Sequence, residues 1–227
     1  MAVWILDASH GGNEFGIKGK NGRTESTIAL EAVLEAKKHL ERNGEEVVLT
    51  RSSDITISTE ERIKIANESN GIYFISFQMN SSEDRKTTGV SIETINITDS
   101  EDRLVKLSKD ELLGISKSED RGVSINTNSE YAALKIKGIK VFAEYLTNEE
   151  VEANFSSEKY GELIAKACLA VVNKVLLTTP IIEPKPMQEK AWRVCLGHYK
   201  TYDEAEKQIR ELNAQGINTA FIVPVDK

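Results

Sequence analysis

Trp4-Ile5-Leu6-Asp7-Ala8-Ser9-His10-Gly11-Gly12 reads as a short apolar strand that runs into a histidine and two glycines. The loop beyond it carries Gly16, Gly19 and Gly22 and ends at Arg23-Thr24-Glu25, where a helical pattern begins. A buried strand that hands a polar side chain to a glycine-rich loop at its carboxyl end is where α/β proteins place chemistry. Imidazole and carboxylate are both zinc donors, so His10 and Glu25 are candidate metal ligands. Against this stands the commoner role of a histidine after a strand, a hydrogen-bonded structural residue.

Outward from this stretch, the pattern alternates between strand and helix. The first strand covers 3–6. A helix over 25–44 places Ile28, Ala29, Ala32, Val33, Ala36 and Leu40 at helical spacing, with Gly44 as its stop. A strand is expected over 45–51. A helix over 58–69 opens on the capping-box pattern Ser58-Thr59-Glu60-Glu61 and turns Ile63, Ile65 and Ala66 inward. The continuous apolar run 72–77 fits a strand covered on both faces. A polar loop (81–88), a strand (90–97), a helix (99–115) and a strand (139–143) follow. A helix over 157–177 presents Leu163, Ile164, Ala167, Val171 and Val175 on one face. This alternation predicts an α/β domain over 1–177, a mostly parallel twisted sheet flanked by helices.

Composition then changes. Pro180, Pro184 and Pro186 fall in the segment 178–190, which reads as an extended, semi-rigid linker. Residues 191–227 read as a small β-α-β unit, with strands over 192–196 and 219–225 and a helix over 201–215. Fewer than forty residues leave it little core of its own. The 227 residues and 40% hydrophobic content suffice for one ordinary domain plus this small unit. A net charge of -7 argues against nucleic acid as the main partner, which would call for a basic patch. No apolar run is long enough for a membrane span. Cys168 and Cys195 have neither metal-ligand spacing nor the number of a disulfide framework. No basic leader pattern opens the chain, so the expectation is cytoplasmic synthesis without a signal peptide.

Several stretches, in order, resemble the zinc-dependent N-acetylmuramoyl-L-alanine amidases that cut peptidoglycan. Leu6-Asp7-Ala8-Ser9-His10-Gly11-Gly12 is similar to that family's Asp-Pro-Gly-His-Gly-Gly, and Gly22-Arg23-Thr24-Glu25 resembles its loop glutamate. Leu49-Thr50-Arg51, then Arg62 with Ala66-Asn67, resemble its Leu-Thr-Arg and Arg-x-x-x-Ala-Asn. Phe74-Ile75-Ser76-Phe77-Gln78-Met79-Asn80-Ser81 is similar to its Phe-Ile-Ser-Ile-His-x-Asn-Ala. Asp120-Arg121-Gly122-Val123 and Leu146-Thr147-Asn148 complete the set. No single piece is specific, but their order is.

The resemblance implies a zinc held by His10, Glu25 and the residue at 78, with a fourth position open for water. It also implies a glutamate general base on the strand before Leu146-Thr147-Asn148, and it carries Arg62 and Asn80 to substrate binding. This chain departs from the pattern. Position 78 is Gln78, whose neutral amide is a poor zinc donor beside imidazole. Counting back from Asn148 places Phe142 at the general-base position. Glu144, two residues later, shares its face in a regular strand and is the candidate base, the alternative being an exposed carboxylate at a strand end. Loss of a general base costs roughly 10²–10⁴-fold in rate. Ser9 in place of the family's glycine is a milder departure.

Trp192-Arg193-Val194-Cys195-Leu196-Gly197-His198-Tyr199, with Glu204-Ala205-Glu206 and Leu212-Asn213-Ala214-Gln215-Gly216, resembles half of a SPOR wall-binding domain. That resemblance implies glycan contacts through Trp192 and Tyr199 and a homodimer in which two chains pair their halves through residues 191–227. The alternative is that Trp192, Tyr199 and Tyr202 fill the core of a tiny unit. Three functions stand open. The first is a peptidoglycan amidase of the endolysin or mother-cell-lysis type, hydrolysing the muramoyl–L-alanine amide with zinc-bound water and acting at the cell wall after release. The second is an inactive homologue, a pseudoenzyme kept for wall binding or regulation. The third is a structural partner in a larger assembly.

Overall fold

Strand β1 (Val3–Ala8) is buried from Trp4 onward and is the second strand from one edge of a six-stranded sheet. The computed structural model describes residues 1–115, 118–126 and 130–173, together with Glu204, Glu206, Lys207, Gln208 and Glu211. The chain divides into two units, Met1–Thr178 and Thr179–Lys227. The expected linker, and with those five exceptions the β-α-β unit, lie outside the described residues, as do Trp192 and Tyr199.

From β1 the chain enters helix α1 (Glu25–Arg42), capped by the Thr24 hydroxyl on the Thr27 N–H, and returns as β2 (Glu46–Leu49). Helix α2 (Thr59–Glu68), capped by Ser58, leads to β3 (Tyr73–Asn80). Then come β4 (Val90–Ile95), α3 (Arg103–Ile115), β5 (Asp120–Asn126), β6 (Lys137–Tyr145), α4 (Glu149–Asn154) and α5 (Ser157–Val171). The spatial order is β2-β1-β3-β6-β4-β5. Every neighbouring pair is parallel except β4 with β6. The sheet is therefore mostly parallel, as the alternation of patterns requires, and mixed because β4 and β5 run against the rest.

Side-chain alternation sorts the sheet into two faces. Trp4, Leu6, Ala8, Ile75, Phe77, Ile139 and Val141 join the main core with Ile28, Ala32 and Ala36 of α1, Leu163 and Ile164 of α5, and Leu104 of α3. Phe77 meets Phe155 and Tyr160 edge-on, and those two rings stack at 4.3 Å. On the opposite face Ile5, Phe74 and Ile95 pack under Ala66, Tyr131 and Leu134 in a smaller cluster. Helices α1 and α5 are explained by their apolar stripes.

Two elements lie beyond the sequence expectations. Strand β5 holds the edge of the sheet and is largely solvent-facing, and its apolar alternation is confined to Val123 and Ile125. Helix α4 has six residues, started by the Asn148 side chain accepting from the N–H groups of Glu150 and Val151. The strand expected over 72–77 continues to Asn80, which puts Gln78 and Asn80 within β3.

Candidate functional site

The chain moves from β1 to β2 on one side and then to β3 on the other, so a crevice opens at the carboxyl ends of β1 and β3. His10 follows β1, Glu25 is the first residue of α1, and Gln78 and Asn80 end β3.

Two buried arginines shape the turn after β1. Arg62 donates to Asp7 Oδ1 (2.5 Å), the Ala8 carbonyl (2.7 Å) and the His10 carbonyl (2.7 Å). Arg51 donates to the carbonyls of Ala8 (3.0 Å), Ser9 (2.9 Å) and Ser26 (2.7 Å). These bonds hold His10 at φ 57°, a left-handed conformation that a histidine adopts only under external constraint. Asp7 is fully buried and balances the charge, accepting also from Thr50 and Ser76 hydroxyls at 2.6 Å each. The Tyr131 hydroxyl reaches it at 3.4 Å. Burial and the Asp7 charge push the Tyr131 phenol up, so it stays a donor.

Glu25, 2% exposed, is held at both oxygens. Its Oε1 accepts from the Met79 N–H (2.9 Å) and from the Ser9 hydroxyl (3.5 Å). Its Oε2 accepts from the Ile17 N–H (3.1 Å) and lies 3.3 Å from His10 Nε2. That bond to Glu25 raises the His10 pKa above its ordinary value, against the opposing effect of burial. Gly16 closes over the pair: a Cβ there would stand 2.6 Å from both Glu25 Oε2 and His10 Cδ2.

The loop that delivers Glu25 is anchored from about 130 residues further along the chain. Glu152 in α4, 1% exposed, accepts from the Asn21 N–H (3.0 and 2.9 Å) and the Arg23 N–H (3.1 Å). Gly19 passes so close that a Cβ would lie 2.3 Å from that carboxyl group. Arg23 answers in the other direction, donating to the Phe155 carbonyl (2.8 Å) and the Ser157 hydroxyl (3.2 Å).

The remaining candidates are placed as follows. Gln78 is half-buried, and its Nε2 donates to the Ser76 hydroxyl (3.3 Å). Phe142 sits in register with it on β6. Asn80 Nδ2 donates to the Ser91 hydroxyl (3.3 Å) and its carbonyl accepts from the Leu146 N–H (2.9 Å). Arg62 is buried, and three of its five N–H donors go to Asp7 and the turn after β1. Glu144 is buried with one oxygen on the Gly89 N–H (2.9 Å) and the other on the Ser118 hydroxyl. Burial pushes its pKa up. It thereby ties β6 to the segments entering β4 and β5. The structure brings together His10, Glu25 and the end of β3; Glu144 is bonded elsewhere.

Among the described residues, no group of three or more His, Cys, Asp and Glu side chains is placed to hold a metal ion. The donor set at the strand ends is one imidazole, one carboxylate and one neutral amide whose nitrogen is turned to Ser76. A catalytic zinc takes three good protein donors, and these residues do not fit it. Asp7, Arg51 and Glu152 are the supports that sequence reasoning left without a role. The visible signals were a carboxylate inside an apolar strand and a glutamate four residues after a capping asparagine.

A mixed α/β sheet with a clamped histidine–glutamate pair at its switch point defines the class, an α/β domain with its centre at the strand ends. Residues 5–174 match the family described as N-acetylmuramoyl-L-alanine amidase, and the chain belongs to that family. Over 90 residues it is 31% identical to N-acetylmuramoyl-L-alanine amidase AmiA of Escherichia coli, a match covering 40% of this chain and 31% of that protein. The chain spans less than half the length of the curated relatives it matches. Its fold superposes on N-acetylmuramoyl-L-alanine amidase AmiC2 of Nostoc punctiforme with a TM-score of 0.69 at 23% identity, covering 76% of this chain and 98% of that one. The CwlD amidase of Clostridioides difficile, solved in complex with the GerS lipoprotein, gives the same TM-score, identity and coverage. At this identity the structural likeness speaks for the fold alone.

Proposed function

We propose that this chain is a peptidoglycan-binding member of its family that does not hydrolyse the muramoyl–L-alanine amide. One observation carries the reading: at the carboxyl end of β3 an amide, Gln78, stands in the third-donor position, with an apolar ring, Phe142, in register beside it. The pair His10–Glu25 is preserved and preorganised, but its partners are a weak donor and a side chain that cannot take a proton. The hydrolytic alternative needs Glu144 as general base, and both its oxygens are bonded to Gly89 and Ser118. In this reading the α/β domain holds muramoyl-peptide at the cell wall. Residues 191–227 add a second, SPOR-like wall contact or a homodimer seam, which light scattering of the full chain against a chain ending at 177 tests.

The deciding experiment incubates the protein with purified sacculi and excess zinc, beside an active family member. The expected result is co-sedimentation with sacculi and no release of peptides with a free amino-terminal alanine. Chelator-sensitive release would overturn the reading and make Glu144 the first residue to mutate.

A further inference from the structure

The sheet face that carries Gln78 holds a second polar group that the site does not use. Three strands present their side chains there in two rungs. Gln78, Phe142 and Ser91 form one, and Ser76, Lys140 and Glu93 form the next. The rungs are about 7 Å apart, two residues along a strand. Lys140 is 8% exposed in the middle of β6. Its Nζ lies 2.9 Å from Glu130 Oε1, 3.1 Å from Glu93 Oε1 and 5.4 Å from the centre of the Tyr131 ring. Burial lowers its pKa, but the two carboxylates more than offset this, so Lys140 is charged.

Stability does not explain the cluster. Burying a lysine among carboxylates at best breaks even against an apolar side chain of similar volume. The partners are also unequal. Glu130 is exposed, in the turn before Tyr131, and an exposed carboxylate is readily exchanged. Glu93 is mostly buried, and beyond the 3.1 Å ion pair with Lys140 its Oε1 has no other hydrogen-bond partner among the described residues. An ammonium between a buried acceptor and an exchangeable carboxylate is complementary to a ligand carrying both a carboxylate and an ammonium.

We propose that Lys140, Glu93 and Glu130 form a subsite for the zwitterionic head group of a diamino acid in a wall peptide. The ligand carboxylate displaces Glu130 on Lys140 Nζ, and the ligand ammonium pairs with the partly exposed Glu93 carboxylate. The peptide runs from the Gln78–Phe142 rung to the Lys140 rung, a distance of about two extended residues. The subsite deepens the wall-binding reading and rests on it.

Titration calorimetry on the full chain tests it with two muramoyl tripeptides amidated at the C-terminus. One ends in meso-diaminopimelate, the other in lysine, which offers an ammonium and no carboxylate. The expected preference for diaminopimelate is at least tenfold. Lys140→Met and Glu93→Gln each erase it, and Glu130→Gln, a change on an exposed turn, tightens the diaminopimelate peptide severalfold. Equal affinity for the two peptides, or a preference that survives Lys140→Met, overturns the subsite. If sacculi bind while the peptides are not distinguished, the subsite falls and the wall-binding reading stands. If neither sacculi nor peptides bind, both fall.

Discussion

Glu152→Ala removes the carboxylate that holds the glycine-rich loop against α4. Two N–H groups, of Asn21 and Arg23, lose their acceptor, and Gly19 loses the group it packs on. A partly buried donor left unpaired costs about 1–3 kcal/mol; with water replacing some of the bonding to Asn21, the sum is about 2–4 kcal/mol. For a domain of this size that is a fall in Tm of roughly 10 °C, at about 2–4 °C per kcal/mol. The neighbouring Lys20–Glu149 pair supplies the control, since both side chains are more than half exposed. Glu149→Ala on the same helix costs less than about 0.5 kcal/mol. The assay is thermal unfolding by circular dichroism, paired with hydrogen exchange. Glu152→Ala is expected to lose protection selectively over residues 17–25, because the loop is the lead-in to Glu25. A melt indistinguishable from that of Glu149→Ala, or destabilisation with protection of the loop unchanged, would refute the assignment of Glu152 as the anchor.

Gln78→His supplies an imidazole where the amide stands, and zinc affinity by calorimetry is expected to rise by roughly 10²-fold, at least the effect of changing a supporting bond at a zinc site; an unchanged affinity would mean that position 78 does not face His10 and Glu25. The folded pKa of His10 is raised above 6.5, chiefly by Glu25. The stability this contributes is full below pH 6.5 and is lost as pH rises through the folded value. Thermal melts across that window should show a declining contribution that Glu25→Gln abolishes. Asp7→Asn leaves the buried Arg62 charge without its counter-charge, a loss of about 3–5 kcal/mol readable by denaturant unfolding. Phe77→Ala empties the contact with Phe155 and Tyr160 and is expected to cost about 3–5 kcal/mol by the same measurement.

The elements legible from sequence are those whose neighbours impose a period. Strands β1 and β3 are covered on both faces and read as apolar runs, while α1, α2 and α5 carry one buried stripe and a capping side chain. Strand β5, in Asp120-Arg121-Gly122-Val123-Ser124-Ile125-Asn126, has a solvent-facing edge position and only two apolar residues, Val123 and Ile125, to mark a period. Helix α4 is too short for one. The ends of these elements follow the same rule: β3 continues to Asn80 through a bulge that shifts its register against β6.

For the site, the chemistry available is legible along the chain: His10 after an apolar strand, Glu25 at a helix start, Gln78 and Phe142 where the family resemblance asks for other groups. Those are properties of residue type and local spacing. Which groups meet is set by packing between distant segments. Glu25 is set by N–H groups of Ile17 and Met79, His10 by Arg62, and the loop by Glu152, partners up to 131 residues away in the chain. Strand parity puts Glu144 on the face of Phe142, yet its oxygens go to Gly89 and Ser118. A buried carboxylate takes the donors that the packed fold leaves within reach, and those are supplied by segments that local spacing does not encode.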